Sequence, residues 1–168
     1  MYCRIKTVES GSVCYIMQCL GPSYDGFAYL LTSETRGGIL VGWDSSRVQI
    51  SNFAFDIYSI TGYVALRDGP PWWLTVVYGP QEDNQKILFL QELVDRRLLS
   101  PGPWVVIGDF NLILHAVDKN NTLLDHRMMG RFRIFVDDTA LKELFLHGRK
   151  YTWSNTREKY PPLRRLGA

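Results

Sequence analysis

The sequence predicts an α/β fold, a mixed sandwich whose sheets are covered by helices, and three observations carry that prediction. Short runs rich in β-branched and aromatic residues follow one another from Phe27 to Leu66. Two strongly apolar runs, Trp72 to Tyr78 and Trp104 to Phe110, come later, and a stretch with helical periodicity lies between them.

The early runs, Phe27 to Leu31, Gly38 to Trp43, Val48 to Phe55 and Tyr58 to Leu66, read as an antiparallel meander. Arg36-Gly37-Gly38, Asp44-Ser45-Ser46 and Arg67-Asp68-Gly69-Pro70 punctuate them. Trp72 to Tyr78 is nearly continuous in apolar character, the pattern of a strand buried on both faces, and Gly79-Pro80 closes it. A helix is predicted from Gln81 to Leu98: Ile87, Leu88, Leu90, Leu93, Val94 and Leu98 recur at helical spacing while Glu82, Asp83, Lys86, Glu92 and Arg96 hold the other face. Acidic residues at its start complement the helix dipole. After Ser100-Pro101-Gly102-Pro103 comes a second buried strand, Trp104 to Phe110. A second helix is expected from Gly130 to Asp138, a short one near Leu141, and a last strand at Tyr151 to Ser154.

The 168 residues, 46% hydrophobic and 21% charged, fit a single domain over residues 1–168 with a buried core. A net charge of +2 excludes the strong basic field that would by itself announce a nucleic-acid binder. No run approaches the roughly 18 apolar residues of a membrane span, and the N-terminus lacks the apolar stretch of a secretory signal, so an intracellular protein without a membrane partner is expected. Nothing points to an obligate protein partner. Cys3, Cys14 and Cys19 are odd in number and make no C-x-x-C pair, which argues against a disulfide framework or a structural zinc.

Polar residues where buried strands end project into the crevice above a sheet. In Gly108-Asp109-Phe110-Asn111, extended backbone would put Asp109 and Asn111 on one face while Phe110 turns into the core. A carboxylate there can orient water or bind Mg²⁺, and a carboxamide can donate to phosphoryl oxygens. The plain alternative is a turn, for which Gly, Asp and Asn are ordinary residues. Tyr78 ends the other apolar strand, as a phenol for a phosphate or as a half-buried aromatic. His115, His126 and His147 are scattered without a paired nucleophile, and no nucleophile elbow, P-loop or dinucleotide fingerprint is present. Arg157, Lys159, Arg164 and Arg165 suit either a phosphate backbone or a solvated tail.

Val76-Val77-Tyr78-Gly79-Pro80, then Trp104-Val105-Val106-Ile107-Gly108-Asp109-Phe110-Asn111, then Arg149-Lys150-Tyr151-Thr152-Trp153-Ser154-Asn155 resemble the endonuclease/exonuclease/phosphatase family. Thr35 to Val41 and Met128 to Phe132 resemble its apurinic-endonuclease-like branch in plant non-LTR retrotransposons, and the likeness runs from about Tyr15 to Leu166. The resemblance implies part of a four-layered α/β sandwich, two mixed sheets flanked by helices, that nicks DNA with a divalent metal, normally Mg²⁺. Carried over, Asp109 is the water-activating carboxylate and a potential metal ligand, Asn111 orients the phosphoryl group and Tyr78 lies near the scissile phosphate. A DNA substrate implies the nucleus, although no Lys/Arg-rich targeting cluster is present.

The departures are equally specific. The family's early Trp-Asn segment is absent before Gly26; residues 1–14 are divergent, and Glu9 in Val8-Glu9-Ser10, lacking the preceding Gln, is a weak match to the metal-binding Glu. Leu163-Arg164-Arg165 stands where Leu-Asp-Arg is expected, and no Ser-Asp-His follows. These departures predict a fragment without its terminal strands. Each missing group commonly costs about 10²- to 10⁴-fold in rate, so negligible turnover is expected. A non-catalytic nucleic-acid-binding remnant and a phosphoesterase for small substrates are the competing readings.

Overall fold

The computed structural model describes residues 2–6, 23–31, 38–116 and 125–144. In chain order these form β1 (Tyr2–Lys6), β2 (Gly26–Leu31), β3 (Gly38–Trp43), β4 (Val48–Phe55), β5 (Ser59–Leu66), β6 (Trp72–Tyr78), α1 (Asp83–Leu99), β7 (Trp104–Asp109) and α2 (His126–Asp138). Two sheets result, ordered β1-β3-β2 and β4-β5-β6-β7. The first is antiparallel; the second is mixed, because β6 and β7 run parallel while its other pairs are antiparallel. The α/β sandwich is therefore present, with three layers formed by the described residues: sheet, sheet and helices.

β6 supplies both of its cores. Leu74 and Val76 face the first sheet and pack with Ile39, Val41, Trp43, Ile60 and Val64. Val77 points the other way, against Phe89, Leu90 and Leu93 of α1 and Phe132 and Phe135 of α2. A strand covered on both faces has no polar side to show, which is why its sequence reads as unbroken apolar character. Each such aliphatic side chain gains about 1.5–3 kcal/mol from burial.

Several expectations are corrected. The meander is not one sheet: the turn at Asp44 to Arg47, where the Asp44 carbonyl accepts from the N–H groups of Arg47 and Val48, carries the chain from the first sheet to the second. A strand stands before Phe27 after all, since β1 pairs with β3 from Tyr2↔Gly42 to Lys6↔Gly38. β7 is half-buried, not buried, because it is the last strand of its sheet among the described residues. The second helix begins at His126, four residues earlier than expected, because the Asp125 side chain accepts from the N–H groups of Arg127 and Met128 and caps it. No helix forms near Leu141. Instead Ala140 adopts φ 54° and the N–H groups of Ala140 and Leu141 close on Asp137 O and Val136 O, a Schellman ending that turns the chain away. Tyr151 to Ser154 lies outside the described residues, as do Cys14 and Cys19.

The edge strand β4 carries a bulge. Register shifts between Ser51 and Ala54, so that two residues face Gly62, and Asn52 takes φ 50°. The bulge accompanies a stacked contact of Phe53 with Trp43 of the first sheet, at 5.5 Å between ring centres.

Helix α1 is docked by charge as well as by apolar packing. Glu92 accepts from Ile57 N at 2.9 Å, Tyr58 N at 3.2 Å and Ser59 Oγ at 2.8 Å, while Arg96 grips Asp56 through two bonds of 2.9 and 2.6 Å. The whole β4–β5 turn thus hangs from one face of the helix. Burial pushes the Glu92 carboxyl above its ordinary value, the bonds from Ser59 and Tyr58 oppose this, and the nearby Asp56 charge reinforces it. Because the folded value is raised, the neutral form is favoured on folding; the associated stability is present below the ordinary Glu value and is lost as pH rises through the folded one. Urea midpoints measured from about pH 4 to about pH 7 should therefore fall for the wild type relative to Glu92→Gln across that window.

Inside the second sheet the hydroxyls of Thr61 and Thr75, both fully buried, lie 2.8 Å apart, and Trp104 Nε1 donates to Thr75 Oγ1 at 2.8 Å. One hydroxyl thereby joins β5, β6 and β7. Thr75→Val keeps the shape and strands two polar groups, so chemical denaturation should show a loss of about 1–3 kcal/mol per unpaired group.

Candidate functional site

The parallel pairing of β6 and β7 sets Val77 beside Gly108 and Tyr78 beside Asp109, so two strands deliver their carboxyl ends side by side. The approach is close enough to demand glycine twice. A Cβ on Gly108, whose φ is 137°, would fall inside the envelope of Val77 O, and one on Gly79 would collide with Phe110 O. Gly79 N donates to Asp109 O at 2.7 Å, and Tyr78 N donates to Tyr58 O at 2.9 Å. The Tyr78-Gly79 backbone is thus tied on both sides, to Tyr58 just before β5 and to Asp109 of β7.

Asp109, Asn111 and Tyr78 are brought to one place, but not by the extended geometry expected of them. Asn111 has φ 49°, the left-handed region that Asn tolerates better than most residues. Its N–H consequently donates back to Asp109 Oδ1 at 2.9 Å, and its Nδ2 donates to Gly79 O at 2.6 Å. The segment is a turn, and the extended backbone expected of it is absent. Phe110 turns inward as expected, packing between Phe89 at 6.0 Å and Phe132 at 5.2 Å. Tyr78 is half-buried against the core between the sheets, while Asp109 is exposed. The result is an exposed carboxylate, one oxygen of which accepts from Asn111 N, on a residue paired with Tyr78, and a carboxamide tied to Gly79 O.

Strand direction defines what else reaches this end. β3 ends where β4 begins, and β4 runs with β6, so β1, antiparallel to β3, also points its carboxyl end toward Tyr78 and Asp109. β1 finishes at Lys6. Glu9 lies outside the described residues, three positions further along the chain, a length that spans at most about 10 Å.

No group of three or more His, Cys, Asp or Glu that could hold a metal exists among the described residues. Asp109 is the one carboxylate of the trio, and one of its oxygens is engaged by Asn111, so these residues do not by themselves compose a divalent-metal site. His115 follows the site in the loop after β7, His126 opens α2, and His147 lies outside the described residues. The cap residue Asp125 is held below its ordinary carboxyl value, chiefly by the Met128 N–H and also by the Arg127 N–H and the Lys86 and Arg127 charges, with desolvation opposing. The earlier start of α2 brings Arg127 into the helix, on the same side as Arg131 and away from Arg133, whose Nε donates to Leu114 O at 2.8 Å. Arg157, Lys159, Arg164 and Arg165 lie outside the described residues.

In open α/β sheets ligands bind beyond the carboxyl ends of the strands, and the parallel β6–α1–β7 unit sets Tyr78 and Asp109 at such an end. The chain matches the model of the Endonuclease/Exonuclease/phosphatase family over residues 15–166 and belongs to that family, whose members generally use a divalent metal. Among solved structures it is similar to D. rerio TDP2 complexed with a single-strand DNA product, at 17% identity and a TM-score of 0.46, covering 81% of this chain. The chain spans about half, 50%, of the length of that structure. No curated protein sequence matches it. No helix among the described residues is long and apolar enough to cross a membrane.

The left-handed turn supplies its own test. Asn111→Gly retains the backbone and its bond to Asp109, whereas Asn111→Ala must adopt a conformation costing about 1–2 kcal/mol. Thermal unfolding should rank the glycine variant at or above the alanine variant, the reverse of their order at an ordinary position.

Proposed function

We propose that the chain is a retrotransposon-derived, DNA endonuclease-like domain, a phosphodiester hydrolase by descent, with weak or negligible turnover in isolation. The observation that carries this reading is the convergence of Tyr78, Asp109 and Asn111 at the paired ends of β6 and β7. An exposed carboxylate can orient water toward a phosphorus. A phenol and a carboxamide can donate to the oxygens on which charge develops.

Mg²⁺ is the expected metal, supplying charge to the phosphoryl oxygens when bound. Asp109 is the ligand the described residues offer, and Glu9, three positions beyond a strand that points to the same end, is the candidate for a second carboxylate. Mg²⁺ leans on one or two carboxylates and completes its shell with water and substrate phosphate, so the pair would suffice as protein ligands. Weak turnover follows from the match at Val8-Glu9-Ser10, which lacks the family's Gln. DNA as substrate places the protein's work in the nucleus.

Nicking of supercoiled plasmid by the folded, purified chain, with Mg²⁺ or with chelator, decides the matter. The expected result is nicking no faster than that of Asp109→Ala. Metal-dependent nicking that Asp109→Ala reduces by about 10²-fold or more would overturn the weak-turnover reading and establish a working hydrolase.

A further inference from the structure

We infer that the groove at the start of β4 and the end of β5 is a binding site for a small phosphomonoester dianion. It is remote from the β6–β7 strand ends and independent of any chemistry there.

The groove has a volume of about 340 Å³, enough for a small ligand, and its lining includes Ser45, Ser46, Arg47, Gln49, Leu66 and Arg67. The β4–β5 pairing explains why two arginines meet there. Its last pair is Val48↔Leu66, and the same register, carried one position further, sets Arg47 across from Arg67. Gln49, paired with Ala65, shares their side, because residues two apart on a strand point the same way. β4 runs with β6, so its start lies at the end of the sheet opposite Tyr78 and Asp109, a strand's length of about 20 Å away.

Like charges directly across a ladder are unfavourable, and nothing in the groove relieves this pair. No acidic residue lines it. The acids of the adjoining turn are committed to the turn itself: Asp44 Oδ1 accepts from Ser46 N at 3.0 Å and from Ser46 Oγ, and its Oδ2 meets Arg47 Nε at 3.3 Å. Asp25 takes the hydroxyl and the N–H of Ser45, which hold its carboxyl below the ordinary value. Asp68, next to Arg67 in the chain, forms an ion pair with neither arginine. Arg67 and the Gln49 amide make no hydrogen bond or ion pair with any described residue. The uncommitted donors are therefore the outer nitrogens of Arg47, the whole Arg67 guanidinium and the Gln49 amide.

Charge decides what fits. A phosphomonoester carries about −1.5 to −2 at neutral pH and presents three strong acceptor oxygens, which match two guanidinium forks. A carboxylate, or the diester of an internal DNA phosphate, brings a single negative charge and leaves the opposed pair half compensated. Val48 and Leu66 add apolar surface for the body of the ester.

The test is isothermal titration calorimetry of the full chain, in chelator and at low salt, with AMP, a short phosphoserine peptide and dimethyl phosphate as probes. At least one of the two monoesters should bind, the wild type and Asp109→Ala alike, with affinity that falls as pH drops through about 6, where the dianion takes up a proton. Dimethyl phosphate should bind about tenfold more weakly or not at all. Arg67→Gln should lose about tenfold in monoester affinity. Its thermal unfolding should lie at or above that of the wild type, because it removes one of two opposed cations and breaks no bond that the described residues make. Binding of AMP over the peptide assigns the site to a nucleotide, and the reverse order to a phosphorylated side chain; either supports the inference. No monoester binding, equal binding of dimethyl phosphate, a destabilised Arg67→Gln, or binding kept in Arg67→Gln and lost in Asp109→Ala would each overturn it.

Discussion

The close parallel approach of β6 and β7 is the constraint on which the rest of the structure depends. Two strands can pair in parallel only if the chain crosses back between them, and α1 is that crossover. The crossing helix must then bury its apolar side on the sheet it leaves, which gives Val77 and Phe89 a shared core. At the far end of the pairing, Gly79 and Gly108 remove the two Cβ atoms that would hold the strands apart. What these absences make room for is a turn whose amide and carboxylate bond to each other and to the neighbouring strand. Scaffold and candidate site are thus one arrangement, not a site added to a finished fold.

Much of that scaffold could be read from the chain because burial imposes patterns. β6 showed itself as an unbroken apolar run, and α1 by its helical repeat, with its start displaced only to Asp83, although Ile87, Leu88 and Leu98 of that repeat are exposed and the face that packs is Phe89, Leu90 and Leu93. Sheet membership was hidden. The Asp44 to Arg47 turn is as short as a hairpin turn, and alternation along β3 and β4 does not say whether the next strand pairs or moves to a facing sheet. Gly130 misled as a boundary: nothing lies near where its Cβ would be, so it marks open surface inside a helix that Asp125 had already begun. Leu141 misled in the opposite sense, as an apolar residue that closes a helix end and does not start another.

For the site, the positions were legible and the geometry was not. Tyr78, Asp109 and Asn111 stood out as polar residues at strand ends, yet a spacing of two was taken for extended backbone. A single φ of 49° at Asn111 converts that spacing into a clasp, and no periodicity announces such a dihedral.

The bulge in β4 bears on a different property, how the molecule behaves among its own copies. β4 is the outer strand of its sheet among the described residues, and an unbroken outer strand offers a ladder on which another chain can template itself. The extra residue at Asn52 and Phe53 interrupts that ladder midway and adds local twist. Only short flanking stretches remain regular, too little for a stable intermolecular sheet. An irregularity that looks like lost pairing within one molecule therefore acts, in a concentrated solution, as protection against polymerisation.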